Sequence, residues 1–213
     1  MQRWTKQVRL ILYGTTAVLA LTQMQRPMQA QSKLAAAAPV KYDNRYEIYG
    51  GINYQNFQAG QNLAKLMNLG GVEVLGTYWL TSKIGLGADF RGQAGTTDVN
   101  PNSDPSRPLV VLYTEMGGVE YRGPKTQRAA LNFHGYAGAS HGNFTQTARQ
   151  DLFIGLYTNR TKPIFALGGS VDFNRSKNLA LRLSPDLILE HFGTDTKEFF
   201  AISAGVVYRF GHR

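Results

Sequence analysis

Leu179-Ala-Leu-Arg-Leu-Ser-Pro-Asp-Leu-Ile-Leu-Glu190 and Phe200-Ala-Ile-Ser-Ala-Gly-Val-Val-Tyr-Arg-Phe210 decide the fold of this chain. In the first stretch Leu179, Leu181, Leu183, Leu187 and Leu189 share one parity, against Arg182, Ser184, Asp186 and Glu190. In the second, Phe200, Ile202, Ala204, Val206, Tyr208 and Phe210 oppose Ala201, Ser203, Gly205 and Arg209. Leucine at every second position would spiral around a helix, whereas alternate side chains of a strand share a face. Pro185 cannot donate a ladder hydrogen bond, so a bulge or local bend is expected there.

The same alternation extends toward the N-terminus. Phe165, Leu167, Gly169, Val171 and Phe173 oppose Ala166, Gly168, Ser170 and Asp172. Leu131, Phe133, Gly135 and Ala137 oppose Asn132, His134 and Tyr136. Around Leu109 to Arg122, Val119 and Tyr121 oppose Glu120 and Arg122, but Glu115 falls on the apolar parity. A bulge near Gly117-Gly118 would account for that. Ile84, Leu86, Ala88 and Phe90 oppose Gly85, Gly87, Asp89 and Arg91; Val72, Val74, Gly76, Tyr78 and Leu80 oppose Glu73, Leu75, Thr77 and Trp79. Tyr46, Ile48, Gly50, Ile52 and Tyr54 oppose Glu47, Tyr49, Gly51 and Asn53.

These are eight segments, and the links between them alternate in length. Short links follow the second, fourth and sixth segments, at Thr81–Lys83, Gly123–Gln127 and Arg175–Asn178. Longer ones follow the first, third, fifth and seventh. The third long loop, Ser140 to Lys162, is expected to carry a hairpin around Leu152 to Tyr157. Short turns on one rim and long loops on the other predict an all-β, eight-stranded antiparallel up-and-down transmembrane β-barrel with the long loops extracellular.

Alternation alone does not say which face meets lipid. A soluble periplasmic lipocalin-like ligand-binding barrel would turn the apolar set inward. Charged residues make up only 17% of the chain, too few for a fully wetted surface. The polar parity is mostly small, with charges of both signs, which suits a narrow interior. Aromatics gather at segment ends (Tyr46, Tyr54, Tyr78, Tyr121, Phe165, Phe173, Tyr208, Phe210), as interfacial girdles do. A structural lumen charge network is expected from Glu47, Glu73, Asp89, Arg91, Glu120, Arg122, Asp172, Arg182, Asp186, Glu190 and Arg209, plugging the bore. A narrow low-conductance pore is the alternative if those pairs open.

Arg3, Lys6 and Arg9 precede an apolar run, Leu10 to Leu21, and Met28-Gln29-Ala30 is a plausible cleavage site. That order is an export signal, and the run is too short to span a bilayer comfortably. The organisation read from sequence is a cleaved signal at 1–30, a short periplasmic segment at 31–45, the barrel at 46–210 and a tail at 211–213. Of the formal charge of +9, four positives lie in the first 30 residues, which hold no acid. The remaining charge is modest and unclustered, so no nucleic-acid partner is expected.

The chain has no cysteine, which excludes disulfides and Cys-based metal sites. No phosphate-binding loop, zinc-spaced His pair or nucleotide fingerprint appears. No metal, no cofactor and no enzymatic activity are expected. Two weak constellations are His134 and His141 with Ser140, and His191 with Glu190 and Asp195. His134 reads as a packed or hydrogen-bonded lumen residue.

Ser203-x-Gly205-x-x-Tyr208-x-Phe210 resembles the C-terminal assembly signal of outer-membrane barrels, although Gly211-His212-Arg213 follow it. The region from Tyr46 to Phe210 resembles the OmpA-like or opacity-type eight-stranded barrel family. The peptidoglycan-binding domain of full-length OmpA is absent, so cell-wall tethering is not carried over. The resemblance implies a bacterial outer-membrane location, outer-membrane lipid and the barrel assembly machinery as partners, and a structural or surface-interaction role, adhesin- or opacity-like, with an extracellular ligand met through the long loops.

Overall fold

Each strand hydrogen-bonds to the one before it, and the last closes on the first. The computed structural model describes residues 40–60, 63, 66–97, 107–144 and 155–212. The strands are β1 (Asn44–Phe57), β2 (Met67–Trp79), β3 (Ile84–Thr96), β4 (Leu109–Lys125), β5 (Ala129–Asn143), β6 (Arg160–Asn174), β7 (Leu179–Glu190) and β8 (Lys197–His212). All neighbours are antiparallel and the sheet is a closed barrel. The export signal assigned to 1–30 lies outside the described residues, as does 31–39. Asn44 already pairs with His212, so the strands begin and end just beyond the expected 46–210.

The register sets the tilt. Hydrogen-bonded partners lead from Arg209 through Glu47, Thr77, Gly87, Gly118, Tyr136, Ala166 and Ile188 back to β8 at Phe199. One circuit therefore climbs ten residues along β8, the stagger that tilted strands need to close.

Burial is inverted relative to a soluble barrel. Ile52, Val72, Val74, Phe90, Val119, Leu167 and Phe200 are all half or more exposed, while Arg91, Arg122, Asp172 and Asp186 are no more than 2% exposed. The lipocalin-like alternative requires the opposite and is excluded. Glycine makes room inside. A β-carbon on Gly118 would lie 2.7 Å from the Tyr136 ring, and one on Gly87 would lie 2.7 Å from the Tyr136 hydroxyl, so Tyr136 lies across both.

The short turns 80–83, 126–128 and 175–178 lie on one rim and share one device. Thr81 Oγ1 accepts from the backbone N–H of Lys83 and Ile84, at 3.2 and 2.9 Å. Thr126 Oγ1 accepts from Arg128 and Ala129, at 3.3 and 3.1 Å, and Ser176 Oγ from Asn178 and Leu179, at 3.3 and 3.1 Å. A hydroxyl that gathers the amides two and three residues on closes the turn without glycine.

Three local expectations are corrected. No bulge occurs at Gly117-Gly118; both registers run unbroken there, and the irregularity lies between Arg122 and Lys125. Glu115 needs no register shift, because it stays outside and meets His141 Nε2 at 3.0 Å. Pro185 interrupts the β6–β7 ladder locally, but without a bulge. The β6–β7 register is the same on both sides of the missing pairs at Gly169 and Ser170, and Ser184 Oγ donates to the Gly169 carbonyl at 3.4 Å. The neighbouring hydroxyl thus serves an acceptor that proline cannot. Finally, β5 reaches Asn143 and β6 starts at Arg160, so the third long loop is 144–159. Its residues 152–154 lie outside the described set, and Gly155–Tyr157 are not strand.

Candidate functional site

The interior is built in layers. Nearest the short turns, Glu47 receives Arg122, Arg182 (3.1 Å) and Arg209 (3.3 Å). Asp172 takes Arg182 at 2.7 Å and Arg209 at 2.6 Å. Asp172 and Arg182 are direct cross-strand partners, so the sheet itself holds the pair in reach. Arg122 also lies flat on Trp79, with its guanidinium carbon 3.8 Å from the ring centroid.

The middle layer centres on Arg91. It meets Asp186 at 2.6 Å, Asp89 at 2.8 Å and its cross-strand partner Glu73 at 3.5 Å. His134 Nε2 lies 2.9 Å from Asp186 Oδ1 and stacks on Tyr136, ring centroids 4.8 Å apart. Glu120 is satisfied by hydroxyls: Thr77 Oγ1 and the Tyr136 phenol each donate to it at 2.6 Å. Removing water from such groups is costly unless they find partners, and these layers supply most of them from strands far apart in sequence, although Asp89 Oδ1 accepts no hydrogen bond.

Above this the interior changes character. Phe57, Phe144, Tyr157, Phe192 and Phe199 meet as a buried aromatic cluster at the long-loop end, with centroid separations from 5.3 to 6.2 Å. Glu190 is buried near it, with Gln55 Nε2 at 3.5 Å from its carboxylate. At the opposite end the chain entering β1 crosses the lumen mouth. Tyr42 donates from its hydroxyl to the Thr126 carbonyl at 2.7 Å and accepts from Asn174 Nδ2 at 2.5 Å. Arg122, Lys125 and Arg209 lie over its ring at 5.1 to 5.4 Å. Its φ of 56° is unusual for a bulky residue and is held by these contacts.

All eleven sequence-predicted charge-network residues face the interior and are buried. The aromatic cluster and Tyr42 were missed. The signal for the cluster was Phe57 and Phe199 lying on the polar parity; Tyr42 carried none. The four signal residues divide by parity. Ser203 and Gly205 face inward, and Tyr208 and Phe210 face outward, 5.9 Å apart and continuous with Tyr46 and Tyr78.

Neither histidine constellation comes together. Ser140 points inward to Thr114 at 3.3 Å, whereas His141 points outward between Glu115 and Thr161. His191 meets Thr196 at 3.1 Å while Glu190 turns inward. Among the described residues no cluster of His, Asp and Glu is arranged to hold a metal.

No protein-family model and no curated protein matches the chain. Solved structures do. Ail, the attachment invasion locus protein of Yersinia pestis, is 18% identical over 79% of this chain and 99% of its own, with a TM-score of 0.54. Ail in complex with the heparin analogue sucrose octasulfate is 19% identical over 79% and 99% of the two chains, with a TM-score of 0.52. Neisserial surface protein A is 12% identical over 78% of this chain and 97% of its own, with a TM-score of 0.56. The chain thus has the fold of the small eight-stranded outer-membrane barrels.

Proposed function

We propose that this chain is a sealed outer-membrane barrel that presents its four long loops as a surface-interaction platform. The observation that carries this reading is the filled interior. Two ionic layers and an aromatic layer succeed one another between the rims, and Tyr42 crosses the short-turn mouth. Eight strands leave little free bore, and here large side chains occupy it. The four longer connections, 58–66, 97–108, 144–159 and 191–196, all lie on one rim. Loops on a rigid scaffold are where recognition resides. Attachment, the activity in Ail's name, is performed on the same scaffold.

The plugged lumen and the surface role are tested together. The mature chain in planar bilayers is expected to give no resolved conductance steps. Cells displaying it are expected to adhere to immobilised matrix proteins or glycans, and to lose that adhesion when 97–108 and 144–159 are replaced by short turns. Reproducible unitary conductance would make the chain a narrow pore. Adhesion unchanged by loop removal would remove the surface role. No catalytic role is proposed: among the described residues the one histidine–carboxylate pair inside the barrel, His134 with Asp186, is enclosed among Arg91 and Tyr136.

A further inference from the structure

The short-turn rim differs in charge from the rest of the outer surface. Lys41, Arg45, Lys83, Arg128, Arg175 and Lys177 are all exposed on it. They come from four separate places, the beginning of β1 with the residues just before it and each of the three turns, so they are spread around the circumference. Among the described residues no ion pair holds any of the six. Asp43 is the acid among them, and it lies 3.8 Å from His212 Nδ1. The long-loop rim instead carries both signs among the described residues, with Glu115, Asp195 and Glu198 beside Arg160, Lys162 and Lys197.

One part of this rim is hollowed. A cleft of about 220 Å³ opens between the chain entering β1, the 175–178 turn and the end of β8. Lys41, Lys177, Asn178 and His212 supply polar walls, Asp43 shares the edge, and Phe210 gives an apolar side. Two of the three described residues with positive φ, Tyr42 at 56° and Gly211 at 71°, line it. A β-carbon on Gly211 would lie 2.9 Å from the Tyr46 ring, so the bend that shapes the cleft depends on glycine.

We propose that this rim binds anionic phospholipid headgroups of the periplasmic leaflet, with one phosphate seated in the cleft between Lys41 and Lys177. The position selects lipid as the occupant. The cations stand just beyond the Tyr46, Tyr78, Tyr208 and Phe210 aromatics, where aromatic rings meet headgroups at a membrane interface. They surround the barrel, as headgroups do, whereas a docked protein would need them on one side. Lysine and arginine side chains there reach the headgroups with their charged ends while their stems stay on apolar surface. The proposal rests on the membrane reading above.

The test uses the mature barrel in nanodiscs of phosphatidylcholine mixed with phosphatidylglycerol, and reads the lipids retained after detergent extraction by native mass spectrometry. The wild type is expected to retain phosphatidylglycerol over phosphatidylcholine by roughly fivefold. Lys41→Gln with Lys177→Gln is expected to bring that ratio close to one, and Lys83→Gln alone to leave most of it. Equal retention by a wild type that still shows heat-modifiable migration overturns the proposal and leaves the barrel reading standing. A preference that survives the double substitution removes the cleft. Displacement by inorganic phosphate would make the site one for free anion and overturn the lipid assignment. A chain that does not enter the nanodiscs fails the membrane reading itself.

Discussion

Arg122 stacks on Trp79 at 3.8 Å and, with the same guanidinium, reaches Glu47 and the Tyr42 carbonyl at 3.4 Å. One side chain thus joins β4, β2, β1 and the segment closing the lumen mouth. Arg122→Ala is expected to cost about 3 kcal/mol, because it leaves buried acceptors short of a donor. Arg122→Lys should recover less than half, since an ammonium cannot lie flat on indole and fork to an acid. Urea unfolding in phospholipid vesicles checks this, with Trp79 as the natural probe; the only other tryptophan is Trp4.

Asp172 and Arg182 face each other across β6 and β7 with two contacts, at 2.7 and 2.9 Å. A double-mutant cycle of Asp172→Asn and Arg182→Met is expected to give a coupling of about 2 kcal/mol. A coupling near zero would mean that the surrounding arginines and acids replace the lost partner freely.

The outer face should be intolerant of charge by depth. Val74→Arg is expected to cost about 2–4 kcal/mol, measured as the shift in unfolding free energy in vesicles. Glu115→Leu, nearer the long-loop rim, should change stability by less than about 1 kcal/mol. Equal effects at the two positions would contradict the depth assignment.

Each turn hydroxyl gathers two amides. Thr81→Ala, Thr126→Ala and Ser176→Ala should each cost about 0.5–1.5 kcal/mol, and the three together should add, because the turns are separate. Amide exchange at Ile84, Ala129 and Leu179 should rise only at the altered turn.

The last strand separates assembly from stability. Phe210→Ala is expected to lower the amount of folded barrel formed in cells several-fold while leaving unfolding in vesicles within about 1.5 kcal/mol of wild type. Gly205→Val should impair both, since a β-carbon there would lie 2.2 Å from the Gly50 carbonyl oxygen. Pulse-labelled, heat-modifiable migration and urea titration read the two quantities.

Alternation made the strands and their outer face legible, because period two is a local property and each charged residue declares its side. Arg182 opposite Asp172 was within reach of the same reasoning once β6 and β7 were joined by a short turn. Register was not. That Arg209 leads around the circuit to Phe199, and so places an aromatic layer above an ionic one, depends on summed pairings that no single segment encodes. Tyr42 and the Ser184 contact to Gly169 were hidden for a related reason. Each answers a need created elsewhere, by a lumen mouth and by a proline, and neither follows a periodicity. Glu115 misleads, because in sequence an outward acid near the loops looks the same as a defect in pairing.

The seam between β1 and β8 joins residues at opposite ends of the folded sequence, Asn44 with His212 and Glu47 with Arg209. A fragment lacking either terminal strand would expose a row of unanswered amides and carbonyls to hydrocarbon, which gives no hydrogen bonds in return. Insertion therefore has no half-finished resting point inside the bilayer. The β1–β8 pairing spans the greatest sequence separation in the sheet and is therefore expected to form last.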